Sequence, residues 1–411
     1  MRDIATATLS GKPDAGGRAV ATASGTDMAR LRLARGTRRR RGEEWVERTS
    51  YLTVEVYGPQ ANLCAERLGK GPRAVVDGEL DWREWTDHEA ESAGRFLGSD
   101  WHDGLRCFGV DVTPRRRRGM TADQPVRPVW IPETLYPFER HYTEINGASV
   151  HYVDEGSGPP LVLLHGNPTW SFLYRDIITG LRDRYRCIAP DHPGFGLSRA
   201  APGYGYTPRE HAAVLEKLVL QLDLSEVTMM VQDWGGPIGF AVATRHPSRF
   251  AAFVIGNTWA WPKSDLGTQL FSRLLGGPIG GYLILQRNFF VEKIVPGNVK
   301  RKKLSAEVMD AYRGPFPTPE SRRPLHVFPR EILASRPFLT EIEQGLTKLK
   351  ERPALLVWPT KDIAFRAPER KRWEQVFPNH QTVILEGAGH YIQEDAADEI
   401  VSAVRDWHDR R

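Results

Sequence analysis

Cysteine is scarce: Cys64, Cys107 and Cys187 are the 3 in 411 residues, far apart and never in Cys-x-x-Cys spacing. That excludes a disulfide framework and a cysteine-built zinc site, and it fits a reducing compartment, the cytoplasm. Long hydrophobic runs are missing too. No stretch of about 18 apolar residues occurs, so no membrane span or membrane partner is expected. The opening "MRDIATATLSGKPDAGG" lacks a cationic flank followed by an apolar core, and is not read as a secretion signal. A dominant charge sign is also absent; the net charge of +5 is too mild to imply a polyanionic partner by itself. No ligand cluster stands at metal spacing, so neither a metal nor an organic cofactor is expected. What is present is apolar content of 40% against 26% charged residues, enough for domains with real cores. At 411 residues, two or three such units are expected.

Three textures follow one another. Residues 1–112 carry short alternating stretches, "MARLRLA" (28–34), "SYLTVEVYG" (50–58) and "RAVVDGEL" (73–80), with one helix-like segment at 59–71. Short strands with a single helix predict a small all-β barrel. Residues 113–134, dense in proline and arginine and including Arg115–Arg118, read as a linker. From residue 135 to 411 the pattern changes. Short apolar runs at 160–166, 186–191, 227–233, 251–257, 354–362 and 380–387 alternate with helix-like segments such as 211–224 and 399–410. Continuous apolar strands separated by helices predict an α/β fold with a parallel sheet covered on both faces. Ligand and catalytic groups of such sheets gather outside the carboxyl ends of the strands.

Those ends carry "HGNPTWS" (165–171), Asp233 in "VQDWGGPIG" (231–239), Asp362, and His390 in "GAGHYIQED" (387–395). A strand, a sharp Gly-rich turn and a helix around Asp233 form the setting of a nucleophile elbow, although Val231 stands where its first glycine belongs. The order nucleophile, acid, histidine is the chain order of an α/β-hydrolase triad. Each residue has a plainer reading alone: Asp233 as a helix N-cap, Asp362 as a turn former, His390 as a loop residue. Together, at strand ends and in that order, they point to chemistry.

An acid in the nucleophile's place narrows the chemistry. A serine that attacks saturated carbon makes an ether, which water does not readily cleave. A carboxylate makes an ester, which can be hydrolysed at its own carbonyl carbon. The indole N–H of Trp234 and the amide of Asn167 are neutral donors suited to a departing halide, and their backbone N–H groups suit an oxyanion hole. Core packing for Trp234 and a turn for Asn167 are the competing readings.

The stretches "HGNPTWSFLYRDII", "APDHPGFGLS", "VQDWGGPIG", "GNTWAWP", "WPTKDIAFR" and "GHYIQEDA" resemble the haloalkane dehalogenases of the α/β-hydrolase superfamily, from about Leu135 onward. The resemblance implies an α/β-hydrolase fold with a helical cap over about 261–351. It makes Asp233 the nucleophile, His390 the base that activates water, Asp362 the carboxylate that orients it, and Asn167 with Trp234 the halide-binding pair. A small halogenated alkane and water would be the substrates. Asn257 stands where another subtype carries its acid, so the set resembles the third dehalogenase subfamily. The alternative is an epoxide hydrolase of the same fold, which needs cap tyrosines; Tyr282 and Tyr312 lie in that region.

Residues 24–87 resemble a bacterial single-stranded DNA-binding protein, which implies an OB-fold barrel ahead of the hydrolase. The positions matching its base-stacking aromatics carry Tyr51, Tyr57 and Trp85, with Trp82 weaker, and Arg38, Arg39, Arg40 and Arg41 adjoin them. Single-stranded DNA is the implied partner. The stretch "FLGSDWHDGLRCFGVDV" departs from that pattern, so a barrel retained without DNA binding stands as the other reading. A chain that is primarily a nucleic-acid binder with a passenger hydrolase is the contrasting whole-chain reading.

Overall fold

In a computed structural model of the chain, residues 127–410 are described with their side chains, and the residues before them only as the backbone of six strands. The chain divides into two compact units, Met1–Val129 and Trp130–Arg411.

The strands of the first unit are β1 (Ala5–Pro13), β2 (Arg18–Ala21), β3 (Asp27–Arg41), β4 (Glu44–Tyr57), β5 (Ala74–Trp82) and β6 (Asp103–Asp111). They pair in the order β1-β5-β6-β4-β3-β2, and a further pairing of β1 with β3 joins the two sides into a ring. All pairings are antiparallel except β4 with β6. Arg38–Arg41 end β3, opposite Glu47 to Glu44 of β4, and Tyr51 and Tyr57 lie farther along β4. The side chains of these residues and of Trp82, together with Trp85, the segment 59–71 and residues 112–126, lie outside the described residues.

The second unit is built on an eight-stranded sheet of β7 (His141–Ile145), β8 (Ala148–Glu155), β9 (Pro160–Leu164), β10 (Arg186–Pro190), β11 (Val227–Val231), β12 (Phe250–Ile255), β13 (Ala354–Pro359) and β14 (His380–Leu385). The order is β14-β13-β12-β11-β9-β10-β8-β7. Only β8 runs against its neighbours. Strands β11 and β13, "VTMMV" and "ALLVWP", are buried along their whole length, as a parallel sheet with helices on both faces requires. Each of the six apolar runs became one of these strands. The β7–β8 hairpin, turning at Asn146 and Gly147 with φ of 54° and 78°, is additional to them.

Helices close both faces. Pro208–Gln221 starts with a capping box between Thr207 and Glu210, and Gly235–Arg245 runs almost wholly buried behind β11. Between β12 and β13 the chain is helical, with main segments at Leu266–Gly276, Pro278–Arg287, Ala306–Arg313, Arg323–Ala334 and Arg336–Gly345. This insertion meets the sheet's carboxyl edge. Trp170 Nε1 donates to the Ala311 carbonyl at 3.0 Å, and the Phe328 ring lies 5.0 Å from that of Trp234.

Candidate active site

The site grows from the end of β11. Apolar residues carry the strand to Val231, and the chain then turns so tightly that Asp233 takes φ of 49°, a left-handed conformation that a non-glycine residue adopts only under constraint. Three bonds supply the constraint. The Asp233 N–H donates to the Asn257 carbonyl at 2.9 Å, the Gly236 N–H to the Asp233 carbonyl at 3.1 Å, and the Thr258 hydroxyl to the same carbonyl at 2.6 Å. Space is equally tight. A Cβ on Gly235 would lie 2.2 Å from the Leu164 carbonyl oxygen, and one on Gly166 would lie 2.2 Å from Asp233 Oδ1.

The turn presents the carboxyl of Asp233 to two backbone donors. The Asn167 N–H reaches Oδ1 at 2.8 Å, and the Trp234 N–H is a second hydrogen-bond donor to the carboxylate. Burial pushes this carboxyl above its ordinary pKa, against the opposing pull of His390 and of the two N–H groups. Oδ2 faces the His390 ring, 3.9 Å from Nε2. On the ring's far side Nδ1 lies 2.8 Å from Asp362 Oδ2. Burial opposes charge on Asp362, but His390, the Asn257 amide at 2.5 Å and the Ala364 N–H at 2.7 Å outweigh it and hold the carboxyl below its usual range. Burial likewise opposes charge on His390, and Asp362 and Asp233 together hold its pKa above the ordinary histidine value.

Aromatic rings wall the remaining side. Trp259 stands edge-on to Trp234 at 4.8 Å and stacks on Phe365 at 5.3 Å, which in turn stacks on His390 at 5.7 Å. The Asn167 amide makes one long contact, 3.4 Å from Nδ2 to the Leu325 carbonyl of the helical insertion, and its Oδ1 is buried without a partner among the described residues. The structure therefore brings Asp233, His390, Asp362, Asn167 and Trp234 together, five residues spread over more than half of the chain.

The two insertion tyrosines are elsewhere. Tyr312 gives its hydroxyl to Glu394 at 2.6 Å within a buried pair of Glu394 with Arg175, and Tyr282 is 55% exposed. Sequence reasoning missed several supports: Asn257 as the second holder of Asp362, Thr258 as a clamp on the turn, and Glu394 as a tie from the His390 segment to Arg175 and Tyr312. It also missed a group of buried histidines under the Asn167 loop. His165 accepts at Nε2 from the His192 N–H at 3.0 Å, His192 Nε2–H donates back to the His165 carbonyl at 3.1 Å, and His211 stacks on Phe328 at 5.3 Å. Adjacency in sequence signals none of these pairings. Among the described residues no group of side chains is arranged to hold a metal ion, and no helix is long and apolar enough to cross a membrane.

An acid at a nucleophile elbow, a His–Asp pair behind it and this strand order define an α/β hydrolase, and the alpha/beta hydrolase fold family matches residues 159–273. The chain is 47% identical to haloalkane dehalogenase 2 of Mycobacterium tuberculosis (strain ATCC 25618 / H37Rv) over 66% of its own length and 95% of that protein's. The chain belongs to the haloalkane dehalogenase family. It is also 35% identical to a cis-3-alkyl-4-alkyloxetan-2-one decarboxylase of Shewanella oneidensis, over 66% of this chain and 89% of that one. The crystal structure of haloalkane dehalogenase DbeA from Bradyrhizobium elkani USDA94 superposes with a TM-score of 0.61 at 28% identity, over 66% of this chain and 97% of that one. In the first unit, residues 12–95 match the single-strand binding protein family.

The buried histidines set a pH limit on stability. Burial lowers His211 to about 3, pushes His192 well below its ordinary value and lowers His165 as well. Folded pKa values below the unfolded value of about 6.5 mean that the unfolded chain binds more protons in between. Their stabilising contribution is present above pH 6.5 or so and is lost as pH falls toward 3. Calorimetry of the full chain from pH 7 to 4 is expected to show the hydrolase unit's melting temperature falling steadily. His211→Gln is expected to flatten that slope, and an unchanged slope would contradict the assignment.

Proposed function

We propose that the second unit hydrolyses the carbon–halogen bond of a small haloalkane in two displacements at Asp233. The observation that carries this reading is the division of labour between that residue's oxygens. Oδ1 accepts the Asn167 N–H, the Trp234 N–H also donates to the carboxylate, and Oδ2 faces His390. Oδ2 attacks the carbon, the carbon–halogen bond breaks with its electrons on the halide, and an alkyl ester of Asp233 forms. The Trp234 indole N–H and the Asn167 amide hold the halide, which needs donors but no proton.

His390 then takes a proton at Nε2 from water, whose oxygen attacks Cγ of Asp233. Charge gathers on Oδ1, where the Asn167 and Trp234 N–H groups stabilise it; one such donor is typically worth about 100- to 1,000-fold in rate. Asp362 holds the ring in its Nδ1–H form and stabilises the imidazolium. Collapse breaks the bond from Cγ to the alkyl-bearing oxygen; that oxygen leaves as the alcohol with the water's second proton, the carboxylate is restored, and His390 passes its proton to solvent. An epoxide reading finds little support, since Tyr312 spends its hydroxyl on Glu394 and Tyr282 is exposed. A β-lactone reading rests on the Shewanella oneidensis relative; 47% identity to a dehalogenase against 35% to the decarboxylase favours halide release.

The five-strand ring closed by β1 and β3, with β4 and β6 parallel, and the family match over 12–95 support an OB-fold for the first unit. We take it to bind single-stranded DNA through Tyr51, Tyr57 and Trp85 beside Arg38–Arg41, by base stacking in a basic groove. The boundaries follow: the OB-fold over 1–112, a linker, and the hydrolase with its cap at about 261–351.

Halide release from a short brominated alkane is the test of the enzyme. Wild type is expected to release bromide and alcohol, and Asp233→Ala to fall to background. Asn167→Ala, which keeps the backbone N–H, is expected to lose about 10- to 100-fold, the worth of one hydrogen bond to a charge. Decarboxylation of a β-lactone without bromide release would replace this reading. For the first unit, oligo-dT is expected to quench tryptophan fluorescence at low salt, with affinity falling steeply as salt rises; no quenching at low salt would leave the barrel without that role.

A further inference from the structure

Gln232 directly precedes Asp233, but its side chain turns away from that carboxylate. The amide lies against the histidine instead. Its Nε2 is 3.0 Å from His390 Nε2 and 3.3 Å from the His390 backbone carbonyl, and Gln232 is 1% exposed. The carbonyl is acceptor-only, so it fixes which end of the amide faces His390: the NH₂ end. One N–H donates to the carbonyl and the other points at ring Nε2. The amide oxygen Oε1 is left buried without a partner among the described residues, as this orientation requires. The backbone cannot relax to change it, because the Gln232 N–H is bonded to the Leu164 carbonyl at 3.3 Å and its carbonyl to the Gly235 N–H at 2.9 Å.

We infer that Gln232 is a positioning residue that holds His390 in its neutral, Nδ1–H form with the Nε2 lone pair ready for a proton. A donor aimed at Nε2 is compatible only with that lone pair; an imidazolium would set two donors against each other. Burial also opposes charge on the ring, whereas the two neighbouring carboxylates favour it. Asp362 lies at 2.8 Å from Nδ1 and Asp233 at 3.9 Å from Nε2, while Phe365 stacks on one face and Tyr391 stands edge-on at 4.9 Å. The His390 N–H is bonded to the Asn298 carbonyl at 3.0 Å, which fixes the carbonyl and ring relative to each other. The two carboxylates beside the imidazole raise its pKa; a donor at Nε2 opposes them. During ester hydrolysis a water takes over the amide's contact with Nε2 and delivers its proton there.

The inference rests on His390 being the base, and the test separates the two. In full-length protein, nitrogen chemical shifts of His390 read its tautomer and pKa with no turnover. Wild type is expected to show Nδ1–H as the tautomer of the neutral ring. In Gln232→Met, which removes the donor, the His390 pKa is expected to rise on the order of one unit, and in Gln232→Glu by more. The acidic limb of kcat for bromide release is expected to move to higher pH by the same amount, with KM little changed. An unmoved His390 pKa in both variants overturns the inference even where kcat falls. A shifted pKa in a chain that releases no bromide upholds the amide's role and overturns the assignment of His390 to the reaction.

Discussion

A carboxylate buried at the end of a parallel strand is unstable unless donors meet it, and the second unit is arranged around meeting one. Asp233 is the group in question. Two N–H groups converge on it, from the Asn167 loop after β9 and from the first turn of the helix behind β11. Those donors converge only if the strands order as they do and the chain turns left-handed at Asp233. The glycines at 166 and 235 follow from the same requirement, because a side chain at either would strike the carboxyl or the neighbouring backbone. The buried histidines follow too, since neutral imidazoles tie the Asn167 loop to the loop after β10 without adding charge beside Asp233.

The same donors serve both halves of the proposed reaction. In the resting state they hold the carboxylate in place while burial raises its pKa. Once the ester forms, the tethered oxygen is the one that gathers charge. The aromatic walls of Trp234, Trp259 and Phe365 surround the carboxylate and His390 with mostly apolar surface. Electrostatic interactions are stronger in such a place than in water. The helical insertion completes the enclosure through Phe328 and Leu325 and is tied to the histidine segment by the Tyr312–Glu394–Arg175 group.

Much of this was legible in the sequence because it was written in local patterns. Continuous apolar runs such as "VTMMV" marked buried parallel strands, and the residues at their ends were the ones the fold brought together. The helix-like segment read at 211–224 was found as Pro208–Gln221, its start set by a Thr207–Glu210 capping box that the periodicity had not marked. The β7–β8 hairpin was signalled by Asn146-Gly147, a strong turn pair, but lay outside the strand–helix alternation that organised the reading. Asn257 was noticed as the absence of an acid, whereas its hold on Asp362 is a contact across 105 positions that no spacing announces. Gln232 was quoted beside Asp233 without a role for the same reason: its partner is His390, reached only through the sheet. Backbone periodicity is local, and polar pairing is not.

The central claim is that oxygen from Asp233, and not oxygen taken directly from water, enters the first alcohol made. A single turnover of a brominated alkane in oxygen-18 water tests it. The account predicts an unlabelled alcohol and a label retained in the peptide that carries Asp233. A labelled alcohol from that first turnover, with the peptide unlabelled, would mean that water attacks the substrate directly, and would contradict it.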